Sequence, residues 1–251
     1  MVGDVVGKPG RRAVRDLLGP LRRELGLHLI VANAENAAGG RGLTPETAAE
    51  ILQAGADVLT SGNHIWDKKE MVPAMDQEAA ILRPLNFAPG VPGRGYLAQG
   101  GVLVVNLIGR TFLGNYECPF RAADHLLQTL PDRPPVVLVD FHAEATSEKQ
   151  AMGWYLAGRV SAVVGTHTHV PTADPRVLPG GTAYVTDVGM VGPRDSVLGD
   201  DSSAVIERFL TLMPNRLPVA GGPVLFCSVL IDVDETTGRA TAIQRVDRVV
   251  D

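Results

Sequence analysis

The chain has 251 residues, with 23 Lys and Arg against 28 Asp and Glu and a formal charge of −5, a length that suits one large α/β domain or two small ones. A mildly acidic chain with no basic stripe is a poor partner for long nucleic acid, and no apolar run approaches the ~18 residues of a membrane span. Two cysteines, Cys118 and Cys227, argue against a disulfide scaffold or a thiolate zinc site and fit a cytoplasmic protein.

Only Met1 and Val2 precede Gly3-Asp4, where about five apolar residues are usual for a strand; the first strand is either a stub or has residues outside this numbering. A helix is predicted from about Gly10 to Gly26, with Pro9 before it and Gly26 as its stop. Strand His28–Asn33 leads to a helix opening at Thr44-Pro45-Glu46, a cap followed by proline and an acid, and ending at Gly55. Further strands are predicted at Asp57–Ser61, Val102–Ile108, Val136–Phe141, Ser161–Gly165, Ala183–Asp187, Leu225–Asp232 and Thr241–Arg248. Helices start near Asp67, Pro119, Ser147 and Ser202. Most of the strands are rich in Val, Ile and Leu without strict alternation, as for strands covered on both faces. The βαβα order predicts an α/β fold with a largely parallel sheet. Glu235-Thr236-Thr237-Gly238 predicts a closing hairpin. Arg83–Gly100 and Gly189–Ser202 read as long loops, and no linker or repeat divides the chain, so one domain over residues 1–251 is expected.

The unusual polar residues fall at strand ends. Asp4 follows the first stub, Glu35-Asn36 follows Asn33, Asn63-His64 follows Ser61, His142 follows Phe141, and His167 and His169 follow Gly165. In open α/β sheets ligands bind at the carboxyl edge of the strands. In an extended segment the imidazoles of His167-Thr168-His169 project to one side, suiting two ligands for one ion or one for each of two adjacent ions. Imidazole and oxygen donors suit Mn, Fe, Zn, Ni or Co. One aspartate, one glutamate, two asparagines and three histidines are too many for a single tetrahedral ion, but enough for two ions roughly 3.5–4 Å apart that share a carboxylate. His28 and His125 stand outside the pattern as structural or solvated residues, and Trp66 and Trp154 read as packing residues.

Gly3-Asp4, Glu35-Asn36, Gly62-Asn63-His64, His142 and Gly165-Thr166-His167-Thr168-His169 resemble the calcineurin-like metallophosphoesterase superfamily. The stretches Gly62–Glu70, Asp140–Lys149 and Thr186–Met190 are similar to its YmdB-like branch. Asp4 lacks the histidine of the usual Asp-x-His, and Glu35 replaces the usual bridging aspartate; both are departures of that branch. The resemblance implies a four-layer α/β/β/α sandwich of two mixed sheets flanked by helices. It implies that Asp4, Glu35, Asn36 and His169 hold one metal and Glu35, Asn63, His142 and His167 a second, with His64 as general acid. It also implies phosphodiester hydrolysis, 2′,3′-cyclic nucleotides opening to 3′-nucleotides, iron or manganese with zinc as a further option, and a homo-oligomer. The two long loops, Arg194 and Tyr116 read first as surface features, with a wall for the base site and contact with substrate as the alternative. The alternatives are a metal-dependent regulatory nucleotide binder with slow turnover and a phosphomonoester hydrolase.

Overall fold

Strands that are apolar on both faces need a layer on each side, and the structure, a computed structural model describing residues 1–130 and 132–251, supplies one. In chain order the elements are β1 Asp4–Val5, α1 Gly7–Leu25, β2 Val31–Asn33, α2 Pro45–Gln53, β3 Val58–Thr60, α3 Met71–Ala74, β4 Tyr96–Gln99 and β5 Val102–Ile108. Then come α4 Pro119–Thr129, β6 Val136–His142, α5 Thr146–Leu156, β7 Ala162–Thr166, β8 Arg176–Leu178, β9 Thr182–Val185 and β10 Met190–Pro193. The chain closes with α6 Ser202–Thr211, β11 Val224–Phe226, β12 Val229–Val233, β13 Ala240–Arg245 and β14 Arg248–Val250. One sheet has the order β4-β5-β6-β7-β9-β8 and another the order β1-β10-β11-β14, while β2-β3 and β12-β13 pair separately.

Alternate residues of β5 and β6 define the layers. Leu103, Val105 and Leu107, with Val137, Val139 and Phe141, pack against Leu126 of α4 and Met152 and Leu156 of α5. Val104 points the other way, to Val31 and Val58, and Leu138 reaches toward Val229 and Ile231. Beyond that second layer, Val14 and Leu18 of α1 and Ala48 and Ile51 of α2 cover Val5, Leu59, Val191 and Phe226. The architecture is therefore α/β/β/α with mixed sheets, as the resemblance implies. Among the described residues no helix is long and apolar enough to cross a membrane.

Several boundaries differ from the sequence reading. The strands expected at Leu225–Asp232 and Thr241–Arg248 are each broken in two, because the hairpin leaves one sheet and enters another. At that corner Ser228 Oγ donates to Val246 O (2.6 Å) and Asp247 Oδ1 accepts from Ser228 N–H (3.0 Å). Phe226, Cys227, Ser228 and Val229 are all buried, so burial runs through the first of these breaks unmarked. Strands β4 and β10 lie inside the two stretches read as loops, and only α3 forms in the region expected to be helical from Asp67. His28 and His125 are exposed. Trp66 packs near Phe87 (6.2 Å between centroids), but Trp154 is 54% exposed with Arg176 over its ring, so it is not a packing residue.

Parallel pairing aligns Ile108, His142 and Thr166 at one edge, and that edge leaves no spare room. A Cβ on Gly165 would lie 1.8 Å from Thr186 O, and one on Gly62 would lie 2.1 Å from His142 Cδ2. Gly165→Ala is expected to cost about 1–3 kcal/mol in urea unfolding; an unchanged midpoint would contradict this packing.

Candidate metal centre

Each candidate side chain stands where its strand runs out. Asp4 sits in β1, Glu35 and Asn36 follow β2, Asn63 and His64 follow β3, His142 ends β6, and His167 and His169 follow β7. Glu35 Oε2 accepts from the backbone N–H of His64 (2.9 Å). Its other oxygen lies 2.9 Å from His142 Nε2. Asn63 Oδ1 is 3.2 Å, and His167 Nδ1 is 3.0 Å, from that same nitrogen. Ligand atoms of Glu35, His142 and His167 all fall within 4.8 Å of one another. Beside this cluster, Asp4 Oδ1 lies 3.9 Å from His169 Nε2, and Asn36 Nδ2 lies 3.1 Å from it. Asp4 Oδ1 and Glu35 Oε1 are buried and form no hydrogen bond. A buried carboxylate oxygen without a partner is costly, so this donor set fits divalent cations.

The second nitrogen of each imidazole is held by a partner. The Thr166 hydroxyl donates to Asp140 Oδ1 (2.8 Å), so a lone pair faces His142 Nδ1 (3.0 Å). That places the His142 proton on Nδ1 and turns Nε2 toward the cluster. Asp140 also accepts from the Thr60 hydroxyl and from Asn33 Nδ2 (3.4 Å). His169 Nδ1 donates to Leu198 O (2.8 Å), which frees its Nε2. His167 Nε2 lies 3.0 Å from Glu144, which leaves Nδ1 for the centre.

Burial raises the Asp4 pKa to about 6, against the pull of His169 and His142. Burial also opposes the charges of Glu35 and His142, but their mutual attraction outweighs it: the carboxyl moves down and the imidazole up. Burial and the neighbouring His142 hold His167 down at about 3, so it stays a neutral electron-pair donor.

The His167-Thr168-His169 segment is not extended, contrary to the sequence expectation. His167 has φ 103° and His169 has φ 66°, so the two imidazoles turn to different neighbours. Backbone in this region costs about 1–3 kcal/mol per residue and persists only when the surroundings enforce it. Asp187 does so: its Oδ2 accepts from Thr168 N–H (3.1 Å) and Oγ1 (2.8 Å) and pairs with Lys149 Nζ (2.6 Å), while its Oδ1 accepts from Gly189 N–H (2.8 Å). Lys149 and Asp187 are each 1% exposed.

Sequence reasoning gave no role to Asp140, Thr166, Lys149 or Asp187. The lone acid inside the apolar run Val136–Phe141 was a usable signal for Asp140; Lys149, within a polar stretch of α5, offered none. His64 lies outside the donor cluster, with Nδ1 2.9 Å from Asp67 Oδ2. Tyr116 stacks on Phe87 (5.3 Å between centroids), continuing a row that starts at Trp66. It also borders a cleft of about 410 Å³ with Arg110, Asn115 and Glu148. Arg194 is exposed and pairs with adjacent Asp195.

The YmdB-like protein family matches residues 1–246. A Bacillus subtilis (strain 168) protein named 2′,3′-cyclic-nucleotide 2′-phosphodiesterase is 49% identical over 249 residues, 98% of this chain and 94% of that one. A solved structure from Thermus thermophilus, described as a hypothetical protein, matches with TM-score 0.92 and 42% identity over 99% of this chain and 97% of that one. A novel phosphatase from Mycoplasma pneumoniae matches with TM-score 0.92 and 32% identity over 99% and 92%.

Breaking a buried ion pair by removing one partner typically costs 3–5 kcal/mol, whereas replacing both partners by apolar groups is often neutral. Asp187→Ala is therefore expected to lose about 3–5 kcal/mol in chemical denaturation, and the double variant Lys149→Met, Asp187→Leu to lose less. A double variant as damaged as the sum of its singles would contradict the pairing argument.

Proposed function

The chain belongs to the YmdB-like protein family, and from that premise we propose that it is a metal-dependent phosphodiesterase acting on 2′,3′-cyclic nucleotides and leaving 3′-nucleotides. The observation that carries this reading is the crowding of Glu35, Asn63 and His167 donor atoms around His142 Nε2, beside the unpartnered oxygens of Asp4 and Glu35.

In this reading Asp4, Glu35, Asn36 and His169 hold one divalent cation and Glu35, Asn63, His142 and His167 a second, with Glu35 shared. Iron or manganese suits the oxygen and imidazole set best, and zinc also fits. Asn36 donates Oδ1, which requires its amide to turn, because Nδ2 faces His169. When bound, such ions supply positive charge against the phosphate oxygens and acidify water at neutral pH.

The protein's own groups do the rest. Asp67 takes the hydrogen bond from His64 Nδ1, so the His64 imidazolium offers its Nε2 proton to the departing ribose 2′-oxygen. In a cyclic diester both candidate leaving oxygens stay on one ribose, so the oxygen that receives this proton decides which bond opens. The row of Trp66, Phe87 and Tyr116, next to the cleft at Arg110, offers apolar faces for the base. Two free cysteines, Cys227 buried, suit a cytoplasmic setting, where we place the enzyme as a homo-oligomer.

Elemental analysis together with turnover of a cyclic nucleotide, bis-p-nitrophenyl phosphate and p-nitrophenyl phosphate, each with and without chelator, tests the reading. Diester cleavage lost with chelator and restored by Mn supports it. Preferred monoester cleavage favours a phosphomonoesterase, and tight nucleotide binding without turnover favours a regulatory binder. His64→Ala is expected to keep its metal content while losing roughly 10²–10⁴ in rate; full activity at unchanged loading removes His64 from the acid role. Glu35→Ala is expected to lower occupancy of both sites, so loss of one ion alone refutes the shared ligand.

A further inference from the structure

The loop that leaves β5 is tied to the edge that carries the metal-type donors. Ile108 is level with His142 in the parallel pairing, and Gly109 N–H donates to His142 O (2.9 Å). A Cβ on Gly109 would lie 2.6 Å from Ala143 Cβ and 2.7 Å from Glu148 Oε2, so the loop starts tight against α5 and the end of β6. Glu148, in the first turn of α5, then fixes the next two residues. Its Oε1 accepts from Arg110 N–H (3.0 Å) and its Oε2 from Thr111 N–H (3.1 Å). A carboxylate has about four lone-pair sites, so Glu148 keeps acceptor capacity beyond these bonds. Both bonds go to main chain. Arg110 is exposed, and its guanidinium has no ion-pair or hydrogen-bond partner among the described residues.

Arg110, Asn115, Tyr116 and Glu148 all line the cleft of about 410 Å³, a volume within the ~300–1,000 Å³ of small-molecule sites. Its charges restrict the occupant. A phosphate suits Arg110 but is repelled by Glu148, and an ammonium meets the reverse. A neutral group with acceptors and donors along one edge suits both. Tyr116, stacked on Phe87, adds an aromatic flank for a flat ring. A nucleobase combines these properties, and the four bases are not equivalent. Along the edge of guanine run N7 and O6, two acceptors that a guanidinium takes as a pair. Next come N1–H and the N2 amino group, two donors that a carboxylate takes as a pair. Adenine puts a donor at N6 and an acceptor at N1, cytosine a donor at N4 beside the acceptor N3, and uracil a single donor between two carbonyls. Only guanine offers both pairs.

We propose that the Arg110–Glu148 cleft is the base subsite of this centre and selects guanine, with Arg110 on O6 and N7 and Glu148 on N1–H and the N2 amino group. The assignment rests on the phosphodiesterase reading above. It supplies what the aromatic row lacks, because a ring face stacks on every base.

The test compares turnover of the four nucleoside 2′,3′-cyclic phosphates, and of inosine 2′,3′-cyclic phosphate, which lacks the N2 amino group, by the Mn-loaded protein. Calorimetry measures binding of guanosine and adenosine 3′-monophosphates alongside. The guanosine substrate is expected to exceed the other three bases by about tenfold or more in kcat/KM, with inosine between. Arg110→Ala and Glu148→Gln, the second keeping an amide oxygen for the loop N–H groups, are expected to bring the guanosine-to-adenosine ratio within about threefold of one, mainly through KM. Equal kcat/KM for the four bases, a preference for adenosine, or a guanosine preference that survives both substitutions overturns the proposal. If no cyclic nucleotide turns over, the phosphodiesterase reading fails, and calorimetry still decides the subsite: tighter binding of the guanosine nucleotide retains it, and equal binding refutes it.

Discussion

Glu35 is the carboxylate on which the centre turns. One oxygen is fixed by the His64 backbone N–H and the other is aimed at His142, so a single side chain ties together the loops after β2 and β3 and the end of β6. An aspartate in its place would fall one methylene short of spanning that gap. The cost of burying such a group is offset only by a concentrated positive charge, and the molecule supplies positions for one from several directions. Asp4 and His167 are shifted by burial toward their neutral forms, while the Glu35–His142 pair is shifted toward its charged form. Opposed shifts within a few ångströms of one another mark a site built for chemistry rather than for packing.

The parallel strands explain why this was legible in the sequence. Glu35, Asn63, His142 and His167 are far apart in the chain, but each follows an apolar run, and parallel pairing brings the carboxyl ends of such runs to one edge. The layers were legible for the same reason: Leu103 and Val104 point opposite ways, and both must be apolar. What periodicity could not reveal was the corner at Cys227-Ser228, where burial continues through a change of sheet. Nor could it reveal the turned backbone at His167 and His169, which depends on Asp187 and Lys149 arriving from other elements. Trp154 was misread because a large ring on a helix carries no mark of which face it takes.

The aromatic row and the metal-type donors approach each other through the loop after β3, where His64 and Trp66 are two residues apart. The first contacts Glu35 through its backbone and the second faces Phe87. A displacement of that loop therefore moves the proposed acid, the proposed shared carboxylate and the proposed wall for the base together. Gly62, with no space for a Cβ against His142, fixes where the loop begins.

The two imidazoles oriented by hydrogen bonds to Nδ1 are governed by unlike means. His169 is oriented by the main-chain carbonyl of Leu198, whereas His142 relies on the Thr166 hydroxyl and, behind it, Asp140. A carbonyl belongs to every residue, so no codon change at position 198 deletes that acceptor. The Thr166–Asp140 relay can be erased by a single nucleotide change in either codon. Substitution can therefore remove the support behind His142 at two positions, whereas no substitution at position 198 removes the acceptor that orients His169.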